Sequence, residues 1–257
     1  MEFRIATFNA NSIRSRMEII LAWLDRHRPD VLCVQETKVQ DVEFPKTPFL
    51  DNGYTCAFKG EKKYNGVAIL SRHPLTKVFA GLDDEPKDPA RLIRADIRGL
   101  TVVTTYIPQG QDPLSDKFTY KLQWFQRLGR YFESHFAPTD RVVWMGDMNV
   151  AMEDKDVYDP AGLRGHVCFC PEVQQSMSKL VEWGWVDLFR KHCPDPGQYT
   201  FWDYRMNALR RNLGWRLDYI FATRPVAERC MACRIDKEPR MLESPSDHTF
   251  LMADLDF

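Results

Sequence analysis

The chain has 257 residues, of which 44% are hydrophobic and 28% are charged, and its formal net charge at pH 7 is −1. This length and composition suit one large mixed α/β domain, which we expect to span residues 1–257. The composition excludes a chain coated in positive charge, and no apolar run approaches the roughly 18 residues of a membrane span. We therefore expect a cytoplasmic protein that makes no membrane contact.

Strands and helices are predicted to alternate along the chain. In chain order the predicted elements are strand 3–8, helix 17–28, strands 31–34, 54–58, 66–71, 92–97 and 101–106, helix 118–136, strand 142–145, helix 171–183, and strands 199–201, 217–222 and 250–255. Too many of the strands pair through short turns for an all-parallel sheet. We therefore expect two packed mixed sheets flanked by helices, with the polar stretch 83–88 as a surface loop.

The seven cysteines are scattered, and several lie in apolar runs. An odd number of scattered cysteines is typical of reduced core thiols in a cytosol, not of a disulfide framework. Cys230 and Cys233 have C-x-x-C spacing, and Cys168 and Cys170 form a near pair, which raises the alternative of a structural zinc. Because only one C-x-x-C is present, the sequence disfavours that alternative.

Polar side chains that could do chemistry stand at the ends of the apolar runs. They are Asn9 and Asn11 after the first strand, Glu36 after the second, Asp147 and Asn149 after 142–145, and Asp247 and His248 before the last strand. Strands carry such residues to a common edge of a sheet, where a rigid scaffold holds them together. The pattern predicts an active site gathered from the whole chain.

Oxygen donors predominate among these residues. Glu36 supplies a carboxylate, and Asn9 and Asn11 supply amides, without paired histidine or cysteine. Such donors suit a hard cation such as Mg²⁺ or Mn²⁺ better than zinc, and the cation in turn suggests phosphate chemistry.

A base and a histidine pair complete the candidate site. Asp147 and Asn149 lie two apart in a segment predicted to be extended, so both side chains can face the same side. One could accept a proton from water while the other orients it. Asp218 lies inside an apolar strand and needs a buried partner, for which the imidazole of His248 is a natural choice.

Each residue also has a purely structural interpretation. Asp147 after Gly146 could be a turn residue, Glu36 could cap a helix, and His248 could be structural. The motifs together are more specific than any one of them. They are 35–38 (QETK), 64–68 (YNGVA), 106–110 (YIPQG), 146–149 (GDMN), 199–205 (YTFWDYR), 215–219 (WRLDY) and 246–248 (SDH).

In this order the motifs resemble those of the exonuclease III family of apurinic/apyrimidinic (AP) endonucleases, over essentially the whole chain. The resemblance implies the four-layer αββα sandwich of the endonuclease/exonuclease/phosphatase superfamily. It also implies a divalent metal and double-stranded DNA, cleaved at abasic sites or at blocked 3′ ends by AP endonuclease, 3′-phosphodiesterase, 3′-phosphatase or 3′→5′ exonuclease activity. We expect a monomer.

The resemblance also implies a role for each matched residue. Glu36 would be the principal metal ligand, with Asn9, Asn11 and Asp247 near the metal. Asp147 would activate the attacking water, Asn149 would hold the water or the phosphate, and Tyr106 would contact the phosphate. His248, oriented by Asp218, would bind a phosphate oxygen. Two departures from the family pattern are Asn11 in place of Asp and Gln109 in place of Asn.

Substrate selection is expected from aromatic and basic residues. Phe201, Trp215 and Leu217 match an apolar pocket that would admit a sugar without its base. Basic residues among aromatics suit phosphate and base contacts. The resemblance also implies substrate contacts at Asn11, Tyr64 and Arg205, of which Arg205 matches a position that enters the DNA groove. Lys62, Lys63, Arg205 and Arg210 are expected to contact phosphates. The loop 159–171 resembles the family only loosely, and His166 within it is a possible specificity residue, or simply a surface histidine.

Two other functions stay open at this point. Another phosphodiesterase of the superfamily could act on RNA tails, inositol phosphates or sphingomyelin, although 201–218 match the DNA-repair branch. The second is a binding protein that kept the fold but lost catalysis. The intact Glu36, Asp147 and His248 disfavour this alternative.

Overall fold

The computed structural model describes residues 2–257. The strands are β1 (Glu2–Asn9), β2 (Val31–Gln35), β3 (Thr55–Lys59), β4 (Val67–Ser71), β5 (Thr76–Ala80), β6 (Leu92–Ile97), β7 (Leu100–Tyr106), β8 (Val142–Asp147), β9 (Trp185–Asp187), β10 (Asp218–Thr223), β11 (Cys230–Asp236) and β12 (Phe250–Asp256). The helices are α1 (Met17–His27), α2 (Lys46–Asp51), α3 (Asp116–His135), α4 (Pro160–Leu163), α5 (Pro171–Glu182), α6 (Leu188–His192) and α7 (Arg224–Ala227).

The strands form two six-stranded sheets. The first has the order β11-β12-β1-β2-β4-β3, and the second has the order β5-β6-β7-β8-β10-β9. In each sheet one central pair is parallel, β1 with β2 and β7 with β8, and the other neighbours are antiparallel. The prediction of two mixed sheets is therefore confirmed.

Apolar side chains on both faces of each sheet produce four layers. The core between the sheets includes Ile5, Ile69, Val102, Met145 and Ile220. On the outer face of the first sheet lie Ile20 and Trp23 of α1 and Phe49 of α2. On the outer face of the second lie Trp124 and Phe132 of α3 and Met177 of α5. Strands that are buried on both faces have continuous apolar sequences. The observed order of layers is the αββα sandwich.

Some predicted elements differ from the structure. The predicted strand 199–201 is wrong: this segment is a loop in which only Phe201 forms isolated bridges, with Trp215 and His248. The predicted strand 217–222 begins one residue later, at Asp218. The strands β5 and β9 were not predicted, and β11 was expected only as a strand entry around Cys230 and Cys233. Cys230 and Cys233 lie in β11, and all seven cysteines of the chain are free.

Candidate active site

Strand ends from both sheets meet at one edge of the sandwich. Because β1 and β2 run parallel, Asn9 and Gln35 are paired at their carboxyl ends, directly before Glu36. In the second sheet Asp147 lies at the end of β8, opposite Tyr106 of β7 and Asp218 of β10. The register of the strands therefore brings the predicted polar residues together.

A close backbone approach shapes the end of β8. Gly146 has φ +143°, and a Cβ at this position would lie 2.1 Å from the carbonyl oxygen of Thr105. Real Cβ atoms do not come so close, so only glycine fits between β7 and β8 here. Asp147, which follows this glycine, is the last residue of the buried strand β8. It is therefore not a simple turn residue.

Asp147 and Asn149 meet in a different way from the one expected. The segment is not extended, since Asn149 has φ +50°, in the left-handed region. Asp147 Oδ1 accepts a hydrogen bond of 2.9 Å from the Asn149 main-chain N–H, and Asn149 Nδ2 donates to Ile107 O at 3.0 Å. The turn, and not strand alternation, therefore places the two side chains side by side.

Asn9 links carboxylates from the two sheets. Its Nδ2 donates to Glu36 Oε1 at 2.9 Å and to Asp147 Oδ2 at 2.8 Å, while its Oδ1 accepts from the Asn11 N–H. The other oxygen of Glu36 lies 2.8 Å from Lys38 Nζ. Glu36 itself has φ +49°, a left-handed backbone conformation that is sparsely populated outside glycine and asparagine.

His248 is held between two aspartates. Its Nδ1 lies 2.7 Å from Asp218 Oδ2, and its Nε2 lies 3.7 Å from Asp147 Oδ2. Burial opposes the charged imidazole, but the charges of Asp218 and Asp147 outweigh burial and raise the pKa of His248 to about 10. The imidazole is therefore a cation at neutral pH.

The environment of Asp147 raises its proton affinity. Burial raises the pKa of Asp147 to about 7, the charges of Asp218 and Glu36 add to the rise, and His248 opposes it. A carboxylate with a pKa near neutrality is suited to proton transfer, because it can both accept and release a proton at the working pH.

Tyr106 forms the adjoining wall of the site. Burial, followed by the charges of Glu36 and Asp147, raises the pKa of its phenol well above the ordinary value. The guanidinium of Arg91 lies over the ring, 5.1 Å from the centroid, and donates to the Tyr106 carbonyl oxygen at 3.2 Å. The phenol therefore stays protonated and can donate a hydrogen bond.

These residues surround a cavity of about 530 Å³. Among the predicted site residues it is lined by Glu36, Tyr106, Asp147, Asn149, His166, Phe201, Arg205, Trp215, Leu217, Asp247 and His248. Asn9 and Asp218 lie behind this lining, hydrogen-bonded to it. Asn11 donates to Asp247 Oδ1 at 3.0 Å. Tyr64 is 69% exposed and is not part of the lining.

The apolar wall of the cavity adjoins the acidic cluster. The ring of Phe201 lies 5.0 Å from that of His248, and His166 lies 4.8 Å from Trp215, measured between centroids. Trp215 and Leu217 are buried, whereas His166 is exposed and its Nδ1 accepts from the Cys168 N–H at 3.1 Å. One cavity therefore combines ionic groups with an apolar recess.

Sequence reasoning missed several residues that orient the site. Lys38 was visible only as the last residue of the QETK motif. Thr200 Oγ1 accepts from the main-chain N–H groups of Leu217 and Asp218, both at 3.1 Å. Ser246 Oγ donates to the Asn9 carbonyl oxygen at 2.8 Å. Such contacts depend on tertiary neighbours, so no local sequence pattern predicts them.

Comparison with known proteins identifies the family. The model of the Endonuclease/Exonuclease/phosphatase family matches residues 6–248, which is nearly the whole chain. The chain belongs to this family. Exodeoxyribonuclease III of Haemophilus influenzae is 31% identical over 264 residues, which covers 98% of this chain and 99% of that protein. The resemblance to the exonuclease III family is therefore confirmed.

Solved structures of the endonuclease/exonuclease/phosphatase family share the fold. An AP endonuclease from Archaeoglobus fulgidus superposes with a TM-score of 0.98 at 49% identity, covering 99% of this chain and 100% of that one. A Neisseria 3′ phosphatase bound to a product DNA hairpin superposes with a TM-score of 0.95 at 34% identity, with coverage of 99% and 100%. Both fit the four-layer sandwich described above.

Proposed function

We propose that this chain is a DNA-repair phosphodiesterase of the exonuclease III type, which uses a divalent metal to hydrolyse DNA at abasic sites and blocked 3′ ends. The observation that carries the proposal is the apolar recess of Phe201, Trp215 and Leu217 beside the buried pair of Asp147 and His248. The relatives support it, because their names describe an exodeoxyribonuclease, an AP endonuclease and a 3′ phosphatase.

The donor set fits a hard cation such as Mg²⁺ or Mn²⁺. Glu36, Asp147, Asp218 and Asp247 bring four carboxyl groups together, and among the described residues 2–257 only Lys38 and His248 are paired with them as cations. Excess negative charge on oxygen donors is the condition that favours a divalent ion.

Two groupings of donors are possible for that ion. Ligand atoms of Asp147, Asp218 and His248 lie within 4.8 Å of one another. We assign the metal instead to Glu36, with Asp247 nearby, because the imidazole of His248 is already committed to Asp218. Asn9 supports this site by holding the Glu36 and Asp147 carboxyl groups, since its amide NH₂ faces them. Asn11 supports it by holding Asp247.

The residues of this chain then divide the work of hydrolysis. A bound divalent ion supplies neutralisation of charge on the phosphate and lowers the pKa of water. Asp147 accepts a proton from the attacking water, and Asn149 holds the water or the phosphate. The cationic His248, oriented by Asp218, binds a non-bridging phosphate oxygen. Tyr106 donates a hydrogen bond where charge develops, and preorganised donors of this kind commonly make the largest contribution.

The apolar recess gives the preference for damage. Phe201, Trp215 and Leu217 present mainly apolar surface, so a sugar without its base is the group that fits beside them. His166 stands at the rim of the same recess, against Trp215, where we propose that it limits entry of internal abasic nucleotides. Tyr64 and Arg205, both exposed, are proposed to contact the duplex beside it.

The proposal extends to the setting of the enzyme. We infer one domain, a monomer and a cytoplasmic location. The seven free cysteines support the location, because thiols stay reduced in the cytosol. In the described part of the chain, no helix combines the length and the apolar character needed to cross a membrane.

A nicking assay tests the proposed function. Wild-type protein with Mg²⁺ should cleave an abasic duplex and remove a 3′-phosphate faster than it degrades an intact end. Cleavage of RNA or inositol phosphate but of none of these DNAs would favour another phosphodiesterase. Binding of the abasic duplex without cleavage, with either Mg²⁺ or Mn²⁺, would indicate a binding protein that has lost catalysis.

Glu36→Gln is expected to raise the Mg²⁺ concentration needed for half-maximal nicking by roughly 10- to 100-fold, the range for weakened metal sites. Glutamine can still accept from Asn9 but loses the charge that attracts the ion. Glu18→Gln, an exposed change on α1, is the matched control. An unchanged Mg²⁺ titration for Glu36→Gln would remove Glu36 from the metal role.

Arg205→Ala is expected to weaken binding of damaged and undamaged duplexes alike, because a phosphate contact carries no sequence information. The slope of log K against log salt should fall by about one. Lys62, Lys63 and Arg210 are also exposed and should behave similarly. Lys77→Ala, on β5 away from the cavity, serves as the control. Equal slopes for Arg205→Ala and wild type would show that Arg205 does not meet DNA.

A further inference from the structure

A lysine lies fully buried on the core side of α3. The buried stripe of this helix includes Phe118, Lys121, Phe125, Leu128 and Phe132. Lys121 is 0% exposed, and burial lowers its pKa below the ordinary value. Among residues 2–257 no carboxylate forms an ion pair with it. A buried ammonium without a paired charge is costly unless its protons are all hydrogen-bonded.

The ammonium is satisfied by three main-chain carbonyl groups. Nζ donates to Asn149 O at 2.7 Å, to Val167 O at 2.7 Å and to Gln109 O at 3.0 Å, and Cys168 Sγ is a weaker fourth partner at 3.9 Å. An ammonium has three donors and no acceptor, so its three protons match the three carbonyl oxygens. A methionine of similar length would fill the space without the cost of burying an ammonium, but it would make none of these contacts.

The three carbonyl groups belong to three loops that line the active-site cavity. Gln109 lies in the loop after β7, Asn149 lies in the loop after β8, and Val167 lies between the cavity residues His166 and Cys168. The last two loops are also joined directly, because the Ala151 N–H donates to Cys168 O at 2.8 Å. One side chain therefore ties together three walls of the cavity.

We propose that Lys121 is a positioning residue for the hydrolysis, acting through the main chain of Asn149. Its hydrogen bond fixes the left-handed turn at Asn149, and this turn presents the Asn149 N–H and side chain to Asp147. Its bond to Val167 sets the loop that carries His166. The expected loss of kcat rests on the proposed nuclease function. The ordering of the loops by Lys121 does not depend on any substrate.

The test compares Lys121→Met with Leu128→Ala. Leu128 is buried on the same stripe, seven residues further along α3, and its apolar side chain makes no hydrogen bond to the three loop carbonyl groups. Its truncation therefore weakens the packing of α3 but keeps the hydrogen bonds of Lys121. Lys121→Met is expected to lower kcat for abasic-site nicking at least tenfold with KM changed less than twofold. Amide deuterium exchange should accelerate at 149–151 and 167–168 in Lys121→Met and not in Leu128→Ala.

The outcomes separate the two proposals. Exchange in both loops unchanged from wild type would overturn the role of Lys121, whether or not the protein cleaves DNA. A loss of kcat in Leu128→Ala equal to that in Lys121→Met would overturn it too. A wild-type enzyme that does not nick the duplex contradicts the nuclease function alone, and the exchange data then decide about Lys121. If Lys121→Met fails to fold, Lys121→Gln, which keeps two donors, should show the same exchange pattern in weaker form.

Discussion

Asp147→Asn is expected to lower kcat for abasic-site incision by roughly 10²- to 10⁴-fold, the range for a lost general base. Asparagine is nearly isosteric and its oxygen can still accept from the Asn149 N–H. It cannot take a proton from water, and it replaces the oxygen that accepts from Asn9 at 2.8 Å. The loss should therefore appear in the chemical step, with the fold retained.

Single-turnover rates and duplex affinity measured on the same preparations check this prediction. Asp147→Asn should bind the abasic duplex with an affinity close to that of wild type. Asp51→Asn, an exposed change on α2 at the opposite end of the sheets, should leave both quantities unchanged. A rate for Asp147→Asn within tenfold of wild type would mean that another group accepts the proton.

Asp156→Asn is expected to destabilise the protein by about 3–5 kcal/mol, the usual cost of breaking a buried charge pair. Asp156 is 0% exposed and accepts from Arg216 Nε at 2.7 Å and from Arg216 Nη2 at 3.1 Å. It also accepts from Arg190. Asparagine would remove the counter-charge of the Arg190 guanidinium and one of the two carboxylates paired with buried Arg216, which keeps Asp187 at 2.6 Å. The melting temperature should fall by roughly 10 °C for a chain of this size.

The dependence on pH gives a second check of the same prediction. Burial opposes ionisation of Asp156, but the two arginines outweigh burial and hold its pKa below the ordinary value. A depressed folded-state pKa stabilises the protein above the unfolded pKa of about 4, and that contribution is lost as pH falls through the folded value. The difference in stability between wild type and Asp156→Asn should therefore be constant near neutrality and shrink in strong acid.

A double variant separates the pair from its surroundings. If Arg216→Met is added to Asp156→Asn, the combined loss should be smaller than the sum of the two single losses, because the residues share one network. Strict additivity in urea unfolding would contradict the proposed coupling. Arg216 lies between Trp215 and Leu217, so the same network also holds the wall of the apolar recess.

The sequence predicted that the candidate site residues would lie together, because most of them stand at the ends of buried strands. Glu36 and Asp147 follow continuous apolar runs, and such runs have one simple interpretation in a layered α/β fold. The position of Asp218 inside an apolar strand required a partner, and His248 at 2.7 Å is that partner. The positions of strand ends and of buried charged residues could thus be predicted without knowledge of tertiary contacts.

Other features could not be predicted from local pattern. The segment 199–201 has strand-forming residues, but its contacts are isolated bridges at Phe201 and single hydrogen bonds of Thr200 to Trp215, Thr249 and Leu217. Tertiary packing therefore overrides its propensity. The three-residue strand β9 is too short for a periodic signal. Lys121 interrupts the apolar face of its helix, but its three carbonyl partners come from loops far away in sequence.

The active site is shared between the two sheets, and this division has a consequence for biogenesis. Asn9, Glu36 and His248 come from one sheet and Tyr106, Asp147 and Asp218 from the other, joined by the bonds of Asn9 to Asp147 and of His248 to Asp218. The partner of the first strand in chain order is the last one, and His248 lies just before that strand. The bond of His248 to Asp218 can therefore form only after the C-terminal strand has docked. A nascent or half-folded chain therefore carries no complete candidate site, and the proposed chemistry belongs only to the finished molecule.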